Sequence, residues 1–326
     1  MNVFMQGMRR SGTTIAFDIL WEDGNFNCYY EPLSTATDDV FGGGSGMRSV
    51  DFYENVRQCR ASFMKKYPHF HLEKINREES FCKSVKNIMS LKLPMIEREN
   101  LLNYGAPRKP ALEFETDLPD YAREYIKFMT SQAEHTMIKF TRMFSKIRVL
   151  WEIDPKAKFI HIVRDPRSVT ASFFFGKKQR QRNKFPNEDI FFESGPEVLI
   201  GASRTLSEVL LQTHEYSYLH NCKAYMRVML LWKIMFQRTH DDGQALFRNN
   251  YFLFRHENLL SEPEQTLKTL YEFLELPLPK HVLEWVQKNI NRTPSFFAPD
   301  NPRWHEAVKK IKMEEELKAA GYEYLI

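Results

Sequence analysis

The stretch Val3-Phe4-Met5-Gln6-Gly7-Met8-Arg9-Arg10-Ser11-Gly12-Thr13-Thr14 decides how this chain is read. Its apolar opening, closed by Gly7, predicts a β-strand that starts at Asn2. From Thr13 to Trp21, Ile15, Ile19 and Leu20 recur on one face, which predicts a helix. A loop that leaves a strand and opens a helix presents successive backbone N–H groups, and with the helix N-terminus these form a cradle for an anion. The pattern nearly matches the triphosphate-binding loop G-x-x-x-x-G-K-[ST], but Thr13 stands where the lysine belongs. That lysine normally reaches the β- and γ-phosphates. Its absence argues against ATP and points to a nucleotide with a shorter 5' chain, with Arg10 able to supply positive charge within the loop.

Outward from this loop, Phe26 to Tyr30 predicts a second strand, His135 to Phe140 a third, and Tyr251 to Phe254 a final one. Phe159-Ile160-His161-Ile162-Val163 is the clearest of all, a near-continuous apolar run of the kind buried on both faces of a parallel sheet. Helices are expected from Tyr121 to Met129, after Pro166, from Glu197 to Gln212, from Lys223 to Arg238, and over most of the C-terminal region. Thr35 to Ser49, rich in Gly, Ser and Asp, reads as a loop, and Gly176 to Pro186 as a basic one. Strands separated by helices imply parallel pairing with right-handed crossovers, hence an α/β class: a three-layer P-loop-type fold with a central parallel sheet and helical insertions. One domain over residues 1–326 is expected. In such sheets ligands bind beyond the carboxyl ends of the strands, and each candidate motif of this chain falls at such an end.

The 326 residues are 43% hydrophobic and 27% charged, a balance that suits a globular protein with a full-sized core. A formal net charge of only +4 lacks the basic signature of a nucleic-acid partner. Cys28, Cys59, Cys82 and Cys222 are widely spaced, which favours reduced thiols in a cytoplasmic setting and offers no zinc ligand set. His69 and His71 read as surface residues rather than ligands, so no metal is expected. No window approaches the ~20 apolar residues of a membrane span, and no membrane partner is expected.

A second anion site is suggested where Arg164-Asp165-Pro166-Arg167-Ser168 runs off the apolar strand into a helix. Arg164 at the strand tip and Ser172 some turns later can both reach one phosphate, the arginine through charge-assisted and potentially bidentate bonds. Asp165-Pro166 also serves simply to cap and start a helix. Tyr30-Glu31-Pro32 ends the second strand beside the phosphate loop, which makes Glu31 a candidate general base. Lys139 and Arg142 are cations at and just after the third strand.

Together these motifs resemble the sulfotransferases that use 3'-phosphoadenosine 5'-phosphosulfate (PAPS). Arg-Ser-Gly-Thr-Thr after an apolar strand is similar to the family's 5'-phosphosulfate loop, and an Arg and a Ser eight residues apart are similar to its 3'-phosphate site. The resemblance implies that Arg9, Arg10, Ser11, Gly12, Thr13 and Thr14 hold the 5' end of the donor and that Arg164 and Ser172 hold its 3'-phosphate. Glu31 resembles the catalytic glutamate of tyrosylprotein sulfotransferases, and the Tyr-Glu-Pro string resembles that of carbohydrate sulfotransferases. Lys139 resembles the lysine that stabilises the leaving group, although Thr141 and Arg142 stand where an Asp-Pro commonly follows. Arg255-His256-Glu257-Asn258-Leu259 occupies the place of a Tyr-Glu-Asp-Leu string, with His256 for the tyrosine. Ser295 and Arg303 fall in a segment similar to the one that closes over the nucleotide in carbohydrate sulfotransferases.

The expectation is therefore a metal-independent PAPS-dependent sulfotransferase with Glu31, Arg10 and Lys139 as catalytic groups, acting on a hydroxyl or amine of a carbohydrate or small-molecule acceptor. Segments 33–134 and 176–249 carry no family motif and are the expected seat of acceptor specificity, with Lys177, Lys178, Arg180, Arg182 and Lys184 available to attract an acidic acceptor. The competing readings are a P-loop kinase and a catalytically silent nucleotide-binding protein.

Overall fold

A computed structural model describes residues 1–33, 49–68, 110–176, 181–199, 202–290 and 297–325. Five strands make one sheet: β1 (Asn2–Gly7), β2 (Asn27–Tyr30), β3 (Thr136–Phe140), β4 (Lys158–Val163) and β5 (Tyr251–Arg255). The sheet is entirely parallel and ordered β2-β3-β1-β4-β5. β1 lies at its centre, with Phe4 opposite Ile138 on one side and Phe159 on the other. The chain leaves β1 towards one edge to form β2, then later crosses to the other side for β4 and β5. That reversal at the centre opens a crevice at the carboxyl ends of the strands.

The helices that bear on the site are α1 (Thr13–Asp23), α2 (Ser49–Lys66), α3 (Asp120–Thr130), α4 (Ile147–Ile153), α5 (Pro166–Phe175), α6 (Glu188–Glu193), α7 (Ala202–Leu211) and α8 (Ala224–Asp242). After β5 come α9 (His256–Ser261), α10 (Pro263–Leu274), α11 (Lys280–Asn289), α12 (Arg303–Ile311) and α13 (Glu314–Ala319). Alternation along β1 distributes them. Val3 and Met5 face a core shared with Phe17 and Leu20 of α1, Leu267 of α10 and Val282 of α11. Phe4 points the other way, into a core with Val56 and Phe63 of α2, Tyr125 of α3 and Leu150 of α4. A third core joins α5 to α8 with α12 and α13 around Trp304. Each fully buried side chain of this kind contributes about 1.5–3 kcal/mol, so all three layers are held mainly by apolar burial.

The expected strands and the helices after Gly12, before β3 and after Pro166 are present. One boundary is corrected: the helix expected from Glu197 begins at Ala202, because Pro196 to Val198 forms only a 3₁₀ turn and Leu199 is extended. Gly201, a poor helix former, interrupts the favourable pattern there. No sequence pattern predicts α6, which Asn187 caps by accepting a bond from the Ile190 amide at 2.9 Å. Residues 35–48 and residues 177–180 of the basic stretch, including Lys177, Lys178 and Arg180, lie outside the described residues, as do His69, His71, Cys82 and Ser295. Among the described residues no helix is long and apolar enough to cross a membrane.

Candidate active site

The phosphate loop is built around Gly12, which caps α1 in the left-handed conformation at φ 87°. A Cβ there would fall well inside contact distance of Nδ1 of His256, the first residue of α9. Substitution of Gly12 by alanine is therefore expected to destabilise the fold by about 1–2 kcal/mol from the left-handed backbone alone. The collision with His256 adds to that, and a thermal melt of Gly12→Ala beside Gly12→Ala/His256→Ala separates the two contributions. Ser11 lies buried in the loop, and its hydroxyl has no hydrogen-bond partner among the described residues. Thr14 bonds through its hydroxyl to the Tyr30 hydroxyl at 3.0 Å, which ties the start of α1 to the end of β2.

Two non-glycine residues at the site also have positive φ: Arg10 at 75° and Glu31 at 45°. Such conformations cost on the order of 1–3 kcal/mol and persist where surrounding structure holds them. The surroundings are on hand. Arg164 reaches from the end of β4 to donate Nη1 to the Arg10 carbonyl at 3.1 Å. The Glu31 amide donates to the Lys139 carbonyl at 2.9 Å, extending the β2–β3 ladder by one bond. Glu31 and Lys139 then meet as a direct ion pair, with the lysine fully buried and 22% of the Glu31 side chain open to solvent. The Lys139 ammonium also sits 4.0 Å from the Tyr30 ring centroid.

The electrostatics of the pair are set by competition. Burial pushes the Glu31 carboxyl up, but Lys139, followed by Arg9 and Arg142, outweighs it and holds the pKa below the ordinary carboxylate value. Burial likewise opposes the charge on Lys139, yet Glu31 and Tyr30 raise its pKa overall. Both groups are therefore charged at neutral pH. Burial and the neighbouring Arg142 lower Arg9, and burial and Arg9 lower Arg10, so the loop arginines stand in a cationic environment. A buried Ser11 hydroxyl with no partner among the described residues, beside crowded arginines, is the donor set an anionic group would complete. The residues present fit the 5' end of PAPS.

At the candidate second anion site, Asp165 caps α5 by accepting the Arg167 amide at 2.8 Å, with Pro166 in the first turn. The cap is braced from the far end of the chain. Glu257 accepts the Asp165 amide at 3.0 Å and the Tyr322 hydroxyl at 2.7 Å, while the Tyr324 hydroxyl donates to Asp165 at 2.8 Å. The Trp232 indole donates to the Arg164 carbonyl at 2.9 Å. Burial and Arg164 depress the His256 pKa to about 3, so His256 is a neutral spacer between Gly12 and Arg164.

The expected residues do not all converge. Arg9 to Thr14, Glu31, Lys139 and Arg164 gather at the carboxyl ends of β1 to β4. Ser172 is half-buried on α5, and Gly176 donates to its carbonyl at 3.1 Å. Arg303 is paired with α6: its guanidinium lies 3.1 Å from Asp189 and 3.3 Å from Glu193, against the Phe192 ring. Sequence reasoning missed the brace of Glu257, Tyr322 and Tyr324 and the buried pair of Arg142 with Glu113 at 2.6 Å. Glu257 and Arg142 both lay in stretches the sequence singled out, but their partners, distant along the chain, did not.

The sulfotransferase domain family matches residues 1–315. Carbohydrate sulfotransferase 1 of Rattus norvegicus and that of Mus musculus are each 25% identical over 169 residues, 51% of this chain and 35% of the relative. The alignment thus spans about a third of the length of those curated relatives. Among solved structures, sulfotransferase STF9 from Mycobacterium avium is similar at 15% identity and TM-score 0.49, over 98% of this chain and 76% of that one. The sulfotransferase domain of the curacin biosynthetic pathway is similar at 15% identity and TM-score 0.46, over 98% and 97%.

Proposed function

The chain belongs to the sulfotransferase domain family, and from that premise we propose that it is a PAPS-dependent sulfotransferase acting by in-line displacement on an acceptor hydroxyl. The observation that carries this reading is the Glu31–Lys139 pair, set at the rim of a phosphate loop whose Ser11 hydroxyl is buried without a partner among the described residues. Glu31, ionised and partly open to solvent, takes the proton of the attacking hydroxyl. Arg10 and the loop amides steady the sulfonyl oxygens, and Lys139 neutralises charge on the departing 5'-phosphate. The acceptor oxygen forms the new O–S bond as the S–O bond to the phosphate breaks. When bound, the donor supplies the sulfonyl group and departs as 3',5'-bisphosphoadenosine. Arg164, with Ser172 on the helix that follows it, is the proposed grip on the 3'-phosphate.

A kinase reading lacks its lysine, since Thr13 occupies that place and is buried in the loop. The acceptor belongs to the class of carbohydrate or small-molecule hydroxyl compounds. The test is a thermal-shift titration with 3',5'-bisphosphoadenosine beside 5'-AMP and Mg-ATP. A ligand at 100 times its dissociation constant adds about 2.7 kcal/mol to stability. The expected result is marked stabilisation by the bisphosphate and little by the other two. Stabilisation by Mg-ATP alone overturns the reading.

A further inference from the structure

Lys139 is held from two sides, and the two holds respond differently to the reaction. Glu31 pairs directly with its ammonium, and the centroid of the Tyr30 ring lies 4.0 Å from it. Tyr30 and Lys139 are partners in the register of β2 and β3, so their side chains leave the sheet on the same face and lie side by side. The ring is itself fixed from α1. Phe17 meets it edge-on, with centroids 5.0 Å apart and planes at 90°, and Thr14 shares a hydrogen bond with its hydroxyl at 3.0 Å. Tyr30 therefore stands between the start of α1, which is proposed to hold the donor's 5'-phosphate, and the buried ammonium that would meet the same phosphate.

When Glu31 takes the proton of the attacking hydroxyl, its carboxylate becomes a neutral acid and its attraction for Lys139 falls away. That happens as the S–O bond breaks and negative charge gathers on the departing 5'-phosphate. The ammonium is fully buried, where a charge without a partner is costly. An aromatic face attracts a cation whatever the protonation state of Glu31, and most strongly where water is excluded. Tyr30 also acts with Glu31 in favouring the charged form of Lys139. We propose that Tyr30 is the positioning residue of the leaving-group cation, its ring keeping the Lys139 ammonium aimed at the 5'-phosphate through the step in which Glu31 is neutralised. The inference rests on the sulfotransferase reading and adds a residue to its machinery.

The test needs no acceptor. Calorimetric binding of 3',5'-bisphosphoadenosine to the full chain is compared with binding of adenosine 3'-monophosphate, which lacks the 5'-phosphate. Tyr30→Leu is expected to weaken the bisphosphate about tenfold and the monophosphate little. Tyr30→Phe keeps the ring and should recover most of that loss. A trifluorinated phenylalanine at the same position keeps the ring's shape but weakens its face, and should recover little. In Lys139→Met, the change Tyr30→Leu should cost nothing further. In Glu31→Gln, whose amide stands for the protonated base, it should cost at least as much as in the unaltered chain. Equal losses for the two ligands, equal binding by the two ring variants, or a loss that persists in Lys139→Met overturns the inference while leaving the sulfotransferase reading intact. Failure of the bisphosphate to bind the unaltered chain overturns both. A melting curve of each variant identifies a folding defect, and the two ring variants, alike in shape, decide the matter if Tyr30→Leu does not fold.

Discussion

Glu31→Gln is expected to lower kcat by about 10²–10⁴-fold, the range over which a positioned general base contributes. The amide keeps the shape of the side chain but cannot accept the acceptor's proton. It also leaves the Lys139 ammonium buried without its counter-ion, and breaking such a pair costs about 3–5 kcal/mol. Loss of activity must therefore be separated from loss of fold, which a titration with 3',5'-bisphosphoadenosine accomplishes: a chain that still binds the bisphosphate and no longer transfers has lost its base. A silent nucleotide-binding protein would show no transfer with Glu31 intact.

The same pair sets the pH dependence. Because Lys139, Arg9 and Arg142 outweigh burial and hold Glu31 below its ordinary pKa, the base stays ionised through the usual carboxylate range. The acid limb of kcat/KM, which reports the free enzyme, should lie below the ordinary glutamate range. Removing the lysine reverses the balance, since burial is the largest single influence on Glu31 and raises its pKa. In Lys139→Met the acid limb should move upward, with a fall in kcat from the lost leaving-group cation. An acid limb that stays in place in Lys139→Met would exclude Glu31 as the titrating base.

How much of this arrangement the sequence discloses depends on the range of the interaction. The strand–loop–helix around Gly12 is local: an apolar run, a glycine with positive φ and an amphipathic helix are contiguous, and so they are readable in order. β4 is readable because a strand covered on both faces must be apolar throughout. The pairing of Glu31 with Lys139 spans 108 residues and follows from the placement of β2 beside β3, which no local pattern encodes. The same holds for Glu257 and Tyr322, which brace the Arg164 turn from sites far along the chain. Arg303 is instructive in the opposite sense. Resemblance placed it in a segment that closes over the nucleotide, and a short helix not foreseen in the sequence brings Asp189 and Glu193 to its guanidinium.

Replacement of Arg164 should produce the second large effect, and one that separates the two ends of the nucleotide. If Arg164 grips the 3'-phosphate, the unaltered chain binds 3',5'-bisphosphoadenosine far more tightly than 5'-AMP. Hydrogen bonds to charged groups contribute about 1.5–3 kcal/mol, so Arg164→Gln should weaken bisphosphate binding about 10- to 100-fold. Its effect on 5'-AMP should be smaller and arise indirectly, because Arg164 also supports the Arg10 carbonyl and with it the strained turn of the phosphate loop. Tyr322→Phe offers a milder perturbation: it removes the bond to Glu257 that helps hold the Asp165 cap, without touching the guanidinium. A graded loss of discrimination between the two nucleotides, large in Arg164→Gln and partial in Tyr322→Phe, would mark Arg164 as a ligand whose aim depends on the C-terminal brace. Equal losses for both nucleotides in Arg164→Gln would instead mean that the arginine serves only to shape the loop, and that the 3'-phosphate is bound elsewhere.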